Sequence, residues 1–472
     1  MGKILYNLGQ GLTQNQIEKM HLEALKLIET VGLKVPHEGI VERLSEEKGV
    51  KAEKERIRFE GWLVEKCLKE LSYPERQIPP RPILVSGAYE QNVLDMDTGK
   101  IRQATSRDLV ELTKLADSYG MLGSAPVRPM DLPPSLAEIA MYKISWENSS
   151  RRCNSILEVN PKSSLKVANY VYEMSCAADK FFSIGIWITS PFSTSPDDLK
   201  VLYSFIDRDV PLWVATMPIA GATAPIHMIG AYVQSLAELF AGYTMLKLLN
   251  PKTYVYCSII DSIRAYPFDM KYGNFVYGSP EDIWGTLLQV QLNKYYKIPI
   301  IAKSLLTASP LPDAQAAAEK AAHTIIAAAF GVDGYTNAGL LAIDDIYSAE
   351  QVVIDHEIVQ YAIQFLRGFD FSEEALSTKI IQEVVWGEEN FLSHESTLNH
   401  FRGAFWTPEL FEHLMLRQWQ GKGGTSILKR AKDIAKRKIK EHHFELIPEI
   451  QRELDRIYQK AKEEYAKNRF SN

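Results

Sequence analysis

Apolar positions change their period along the chain. Between residues 12 and 70, Ile17, Met20, Leu22, Leu25, Leu27 and Ile28 recur at roughly helical spacing, the pattern of a helix with one buried face. Residues 73–82 hold Pro74, Pro79, Pro80 and Pro82, which cannot continue a helix and mark a turn or linker. Strand-like pieces follow around 83–85 and 92–94, and Arg107 starts another helix. From about residue 120, short β-branched runs alternate with longer helical patterns, the rhythm of repeated strand–helix units. The predicted strands are 123–126, 154–158, 183–189, 212–217, 254–259, 298–303, 333–337 and 390–394. Eight strands close a (β/α)8 barrel, although a doubly wound open sheet would give a similar rhythm.

Helix starts agree with this pattern. Ser195-Pro196-Asp197-Asp198 and Ser279-Pro280-Glu281-Asp282 each place a capping serine before a proline, then two acids at the positive end of the helix dipole. Asp313 to Phe330 reads as an Ala-rich helix stopped by Gly331. The expected fold class is α/β, a (β/α)8 TIM barrel with an N-terminal helical extension and C-terminal helices. Its expected divisions are 1–115 as helical layer and linker, 116–407 as barrel and 408–472 as C-terminal helical extension.

Composition narrows the function classes. The 472 residues are 46% hydrophobic and 24% charged with a net charge of −6, ordinary for a soluble globular protein and unlike a nucleic-acid binder. Cys67, Cys153, Cys176 and Cys257 form no CxxC pair, so a reducing, cytoplasmic setting is expected. Met1 to Tyr6 show neither a secretion signal nor a myristoylation motif. The apolar stretch 228–249 is interrupted by Glu238 and Lys247 and reads as a buried helix, with no membrane association expected. Lys429, Arg430, Lys432, Lys436, Arg437, Lys438 and Lys440 make a basic run, either a solvated helix face or a surface for an acidic partner.

Common catalytic signatures are absent: no GxGxxG after a strand, no GxxxxGK[ST], HExxH or GxSxG. His394 and His400 are six apart, not the spacing that aligns two ligands on one helix face, so no protein-bound metal is expected. Aromatic residues near strand ends are more suggestive. Trp187 closes the third predicted strand, Phe275 and Tyr277 lie in the loop after the fifth, and Tyr335 is in the seventh. A permanent cation can neither accept a hydrogen bond nor lose a proton, and is held by ring faces worth about 0.5–2 kcal/mol each. The competing account is that these rings fill barrel layers. Arg264, Lys303, His356 and His394 are polar candidates for holding a substrate carboxylate. Adjacent acids at Asp344-Asp345 and Glu388-Glu389 read as ordinary loop solvation, because neighbouring side chains point apart.

Several strings carry a resemblance to a known family. They are 217–225 (Met217-Pro218-Ile219-Ala220-Gly221-Ala222-Thr223-Ala224-Pro225), Tyr277-Gly278-Ser279-Pro280-Glu281, Pro312-Asp313-Ala314-Gln315 with Glu319-Lys320, and Val353-Ile354-Asp355-His356-Glu357-Ile358. His394 to Arg402, Phe405-Trp406, the opening Leu12-Thr13 and the turn Val31-Gly32-Leu33 fit as well. In order and over essentially the whole length, the chain resembles the trimethylamine methyltransferase superfamily. That resemblance implies a (β/α)8 barrel that transfers methyl from a methylamine to cobalt(I) of a corrinoid carried by a separate protein. Archaeal trimethylamine enzymes of the family carry pyrrolysine just before the Asp-x-Gln segment, where Pro310 stands here. Members without pyrrolysine resemble betaine demethylases. The expected donor is therefore a quaternary amine, glycine betaine first, with carnitine, proline betaine, γ-butyrobetaine or a tertiary amine as alternatives. A betaine-binding protein without turnover is the rival from another class. The expected pocket comprises Trp187, Phe275, Tyr277 and Tyr335 around the ammonium, His356 or Arg264 on the carboxylate, and His394 lining the site. A homo-oligomer is compatible with the sequence, which leaves the state open.

Overall fold

The computed structural model describes residues 11–71, 82–149, 164–258, 263–387 and 390–467. Strand Ile184–Thr189 pairs parallel with Leu212–Thr216, and Leu212–Thr216 pairs parallel with Val255–Cys257. A second parallel ladder joins Ile301–Ala302, Gly334–Ala338 and Ile83–Ser86, and Val85 bridges in parallel to Leu122. Helices Pro196–Phe205, Met228–Leu249, Pro280–Tyr296, Ala314–Ala329 and Ala349–Leu366 alternate with these strands. Parallel neighbours joined through helices are how a (β/α)8 barrel is built, and this is the expected fold class. Ser195 and Ser279 cap their helices through Asp198 N–H and Asp282 N–H, as their sequence context implies.

Two expected strands turn out differently, and a third cannot be compared. Residues 154–158 lie outside the described residues. At 123–126 there is no strand, only the flanking bridges of Leu122 and Val127. Residues 390–394 are a turn: Asn390 accepts from the amides of Ser393 and His394, and His394 then caps helix Glu395–Ala404. Such local side-chain bonding competes with strand pairing. The neighbour of Gly334–Ala338 is instead Ile83–Ser86, so a strand from the Pro-rich N-terminal region enters the parallel ladder.

The N-terminal layer explains the most apolar segment of the chain. Helix Gln14–Thr30 starts with a reciprocal capping box between Thr13 and Gln16. It packs with Gly61–Leu68 against Met228–Leu249, whose other side faces the Leu212–Thr216 strand. A helix covered on opposite sides can be apolar all round. Among the described residues no helix is long and apolar enough to cross a membrane. At the C-terminus, Ile427–Glu441 buries Ala431 and Ala435, and Pro448–Ala466 buries Leu454, Ile457 and Ala461. Six cations of the basic run on the first of these are met within the chain, Lys429 by Asp433, Lys432 and Lys436 by Asp97, Lys438 and Arg437 by Glu409, and Arg430 by Glu412.

Gly185 allows the ring of Trp213 to cross the sheet beside it: a Cβ there would stand 2.1 Å from the indole. Gly185→Ala is expected to lower stability by about 1–3 kcal/mol, because a rigid ring between strands cannot retreat. Urea unfolding of the two proteins checks this.

Candidate active site

Alternation along the strands separates two faces. Ile188 and Val214 point towards the helix layer, where a Cβ on Gly242 would meet them at 3.1 and 2.7 Å. Trp187 and Trp213 occupy the opposite, inner face, edge to face with ring centroids 6.1 Å apart. Neither indole N–H has a hydrogen-bond partner among the described residues. Trp187 is level with Ala215 in the ladder. Three residues further, the carbonyl of Pro218 accepts from the amide of Tyr266, so Trp187 lies about 10 Å below the loop that Tyr266 begins.

That loop holds an aromatic cluster. Tyr266–Asp269 and Asn274–Phe275 form a short hairpin, which sets the rings of Tyr266, Phe275 and Tyr277 against each other. Centroid distances are 5.1 Å for Phe275 and Tyr277, 5.3 Å for Tyr266 and Tyr277, and 6.4 Å for Tyr266 and Phe275. Tyr266 and Tyr277 are buried and Phe275 is half-buried at the rim. Tyr335 belongs to the same buried cluster, and burial pushes its phenol up to about 12. Phe275 and Tyr277 thus meet ring against ring, Tyr335 shares their larger buried core, and Trp187 pairs with Trp213.

Beneath the cluster is a buried polar knot. Arg264 is fully buried, donates to Asp282 at 2.6 Å and lies 4.7 Å from the Tyr266 ring centroid. Asp282 also accepts from the amide of Gly278 at 3.0 Å, which ties the loop to helix Pro280–Tyr296. His323 Nε2 meets Thr286 at 2.7 Å, and desolvation pulls its imidazole down to about 4. The charge of Arg264 is therefore already met by Asp282. Lys303, whose Nζ is 5.6 Å from the same Tyr266 ring, is the second cation beside it.

A strained segment faces the cluster. Ala342, Ile343 and Asp344 hold successive φ values of 53°, 57° and 70°, a left-handed run costing roughly 1–3 kcal/mol per residue. The cost is offset by backbone bonds from Ala342 to Ser309 and Ile343 to Thr307, and by Tyr277 O–H donating to Asp344 at 3.0 Å. Asp344 is thus a partner of the cluster, not merely a solvated loop acid. The sequence signal for it is weak, since nothing in Ile343-Asp344-Asp345 announces left-handed backbone.

The two histidines lie elsewhere. His356 sits on Ala349–Leu366 and stacks on Tyr119, ring centroids 4.2 Å apart; burial there lowers it to about 4. His394 caps Glu395–Ala404 through the Ser396 amide and approaches Glu383 at 3.4 Å. Neither contact involves the cluster. Among the described residues no group of three or more His, Cys, Asp or Glu side chains could hold a metal ion. A cavity of about 320 Å³ opens between Val93, Asp97, Arg102 and Glu111. Its charges are already paired, Arg102 with Asp95 and Asp108, Arg107 with Glu111, and Asp97 with Lys432 and Lys436 from outside the cavity.

Residues 6–466 match the family described as trimethylamine methyltransferase (MTTB). The chain belongs to that family. The glycine betaine methyltransferase of Desulfitobacterium hafniense (strain Y51) is 26% identical over 443 residues, covering 89% of this chain and 90% of that protein. The trimethylamine methyltransferase MttB of D. hafniense (strain DSM 10664 / DCB-2) is 24% identical over 476 residues, covering 96% and 94%. Among solved structures, the Methanosarcina barkeri monomethylamine methyltransferase (MtmB) matches at a TM-score of 0.40 and 11% identity over 93% of this chain and 97% of that one. The family places this chain among methyltransferases of the methylamine type.

The low folded pKa of His323, about 4, fixes a sign for pH dependence. Between that value and an unperturbed histidine pKa of roughly 6.5 the unfolded chain binds the extra proton, so stability falls as pH falls through this window. Thermal unfolding from pH 7 to 5 is expected to show a steeper loss for the natural protein than for His323→Gln. Equal slopes would remove His323 from the account.

Proposed function

We propose that this methyltransferase takes a methyl group from a small quaternary amine, with glycine betaine as the first choice, and passes it to cobalt(I) of a corrinoid carried by a separate protein. The observation that carries this reading is the mutually packed set of Tyr266, Phe275 and Tyr277 at the end of the inner strands. Ring faces hold a permanent cation without demanding a hydrogen bond or a proton. A quaternary ammonium leaves as a neutral tertiary amine when its methyl is attacked, so no general acid is required of the enzyme; glycine betaine would leave as dimethylglycine. The protein's part is orientation and exclusion of water. The likeness to a glycine betaine methyltransferase over 89% of the chain supports the same donor class.

The substrate carboxylate needs a cation beside the rings. Two cations lie against the Tyr266 ring, Arg264, which is bound to Asp282, and Lys303, and in this reading they hold the carboxylate. The inner-face Trp187 and the clustered Tyr335 complete the pocket in this reading, and His356 and His394 act outside it. A tertiary amine donor is the second reading, favoured by the 24% identity to a trimethylamine methyltransferase across 96% of the chain.

The deciding experiment follows methylation of free cob(I)alamin spectroscopically with glycine betaine, proline betaine, carnitine, γ-butyrobetaine and trimethylamine. Turnover with a betaine is expected; turnover with trimethylamine alone would reverse the donor assignment. Binding of a betaine without methylation, even with a corrinoid protein present, would make the chain a binding protein. Phe275→Ala is expected to weaken betaine binding by about 2- to 30-fold, the worth of one ring face, as read by calorimetry. Lys303→Met should weaken glycine betaine binding and leave tetramethylammonium unchanged. Equal loss for both ligands would take the carboxylate away from Lys303.

A further inference from the structure

The loop after strand Gly334–Ala338 adopts a backbone that its residues disfavour. Ala342, Ile343 and Asp344 stand at φ 53°, 57° and 70°, and a β-branched isoleucine in that region is a genuine outlier. Backbone strain of this kind gathers at ligand clamps and active sites. Here it decides which of two adjacent acids meets the aromatic cluster. Asp344 is half-buried, and its Oδ2 accepts from the Tyr277 hydroxyl at 3.0 Å, across 67 positions of chain. Asp345 is exposed and accepts from the Asn92 side chain at 3.2 Å. Charge of the opposite sign stands against a different ring of the same cluster. Lys303 Nζ lies 5.6 Å and the Arg264 guanidinium 4.7 Å from the centroid of the Tyr266 ring, which is itself 5.3 Å from the ring of Tyr277. Lys320, on which the charge of Asp344 also acts, is bonded to Asp355.

We propose that Asp344 is a specificity-determining residue for the donor's cation. Its carboxylate faces the ammonium on the Tyr277 side of the cluster, while Lys303 and Arg264 face the donor's carboxylate on the Tyr266 side. The pocket thereby orients a zwitterion by the order of its charges as well as by its shape. The inference rests on the quaternary-amine reading and adds to it the group that separates a cation from an uncharged molecule of the same outline. Aromatic rings attract a cation, but they also pack well against an apolar group of equal size. A carboxylate favours only the cation. At an effective dielectric constant of about 20, opposite unit charges about 6 Å apart attract by the equivalent of roughly 100-fold in affinity. The water both groups give up reduces this, and at least ~10-fold is expected to remain.

Calorimetry on the full chain tests it with three ligands: glycine betaine, tetramethylammonium and 3,3-dimethylbutanoate, in which carbon replaces the charged nitrogen of glycine betaine. Asp344→Asn keeps the size of the side chain, and asparagine tolerates left-handed backbone. This variant is expected to bind glycine betaine and tetramethylammonium at least ~10-fold more weakly, while the uncharged analogue changes by less than about twofold or gains affinity. Equal loss for all three ligands, or no loss for any, overturns the proposal, because Asp344 then only shapes the loop. A natural chain that binds neither cation overturns the donor assignment together with it. A natural chain that binds both, with an Asp344→Asn variant that binds them equally well, overturns this inference and leaves the donor class standing. Should Asp344→Asn fail to fold, Asp344→Gly removes the same charge and accepts the left-handed backbone without strain. The same outcomes then decide.

Discussion

The Arg264–Asp282 ion pair is the interaction on which the candidate site hangs. Both side chains are fully removed from water, a state tolerated only when a charge is paired and its remaining bonding capacity is used. Asp282 uses it on Arg264 and on the Gly278 amide, and its own amide donates to the Ser279 hydroxyl. One carboxylate thereby fixes the start of helix Pro280–Tyr296, the turn that carries Tyr277, and the guanidinium beneath Tyr266. Breaking such a pair from one side costs about 3–5 kcal/mol, because the other charge stays buried.

A second buried pair works on the neighbouring loop. Lys320 donates to Asp355 at 2.8 Å, and Asp355 also accepts from the Gly339 amide and from Gln351. The Gly339 bond holds the chain just past strand Gly334–Ala338, where the left-handed run Ala342 to Asp344 follows. Strain of that kind persists only where surrounding bonds over-determine the backbone. Here they come from two directions, the Thr307–Ser309 loop and the Tyr277 hydroxyl. The rigid polar scaffold and the apolar ring cluster are thus one construction, joined through Asp282 below the rings and Asp344 beside them.

Two parts of the chain place opposite demands on apolar side chains. In the parallel sheet, Ile188 and Val214 meet the helix layer and Trp187 meets Trp213, so apolar surface is covered within one chain. In helices Thr378–Trp386 and Glu395–Ala404 the same residue types at helical spacing meet water. Periodicity alone therefore does not tell which apolar helix faces are buried.

Much of the molecule was legible from its residues alone. Capping serines before prolines marked two helix starts to the residue, and β-branched runs located the strands at 184, 212, 255 and 334, because these signals act over a few neighbouring residues. Ordered strings along the whole chain identified the family. Failures fell where distant partners decide the outcome. Asn390 to His394 has an apolar core, yet local bonding made it a turn, and Ile83–Ser86 took the place beside Gly334–Ala338. Arg264 was read as available until Asp282, eighteen positions away, proved to hold it. Asp344 was read as solvated until a hydroxyl 67 positions away found it. Sequence by itself determined the elements, the aromatic inventory and the family, since each rests on residue type and short spacing. Tertiary structure alone decided which charges are spent on each other and which rings meet, because burial and pairing depend on long-range packing that spacing cannot encode.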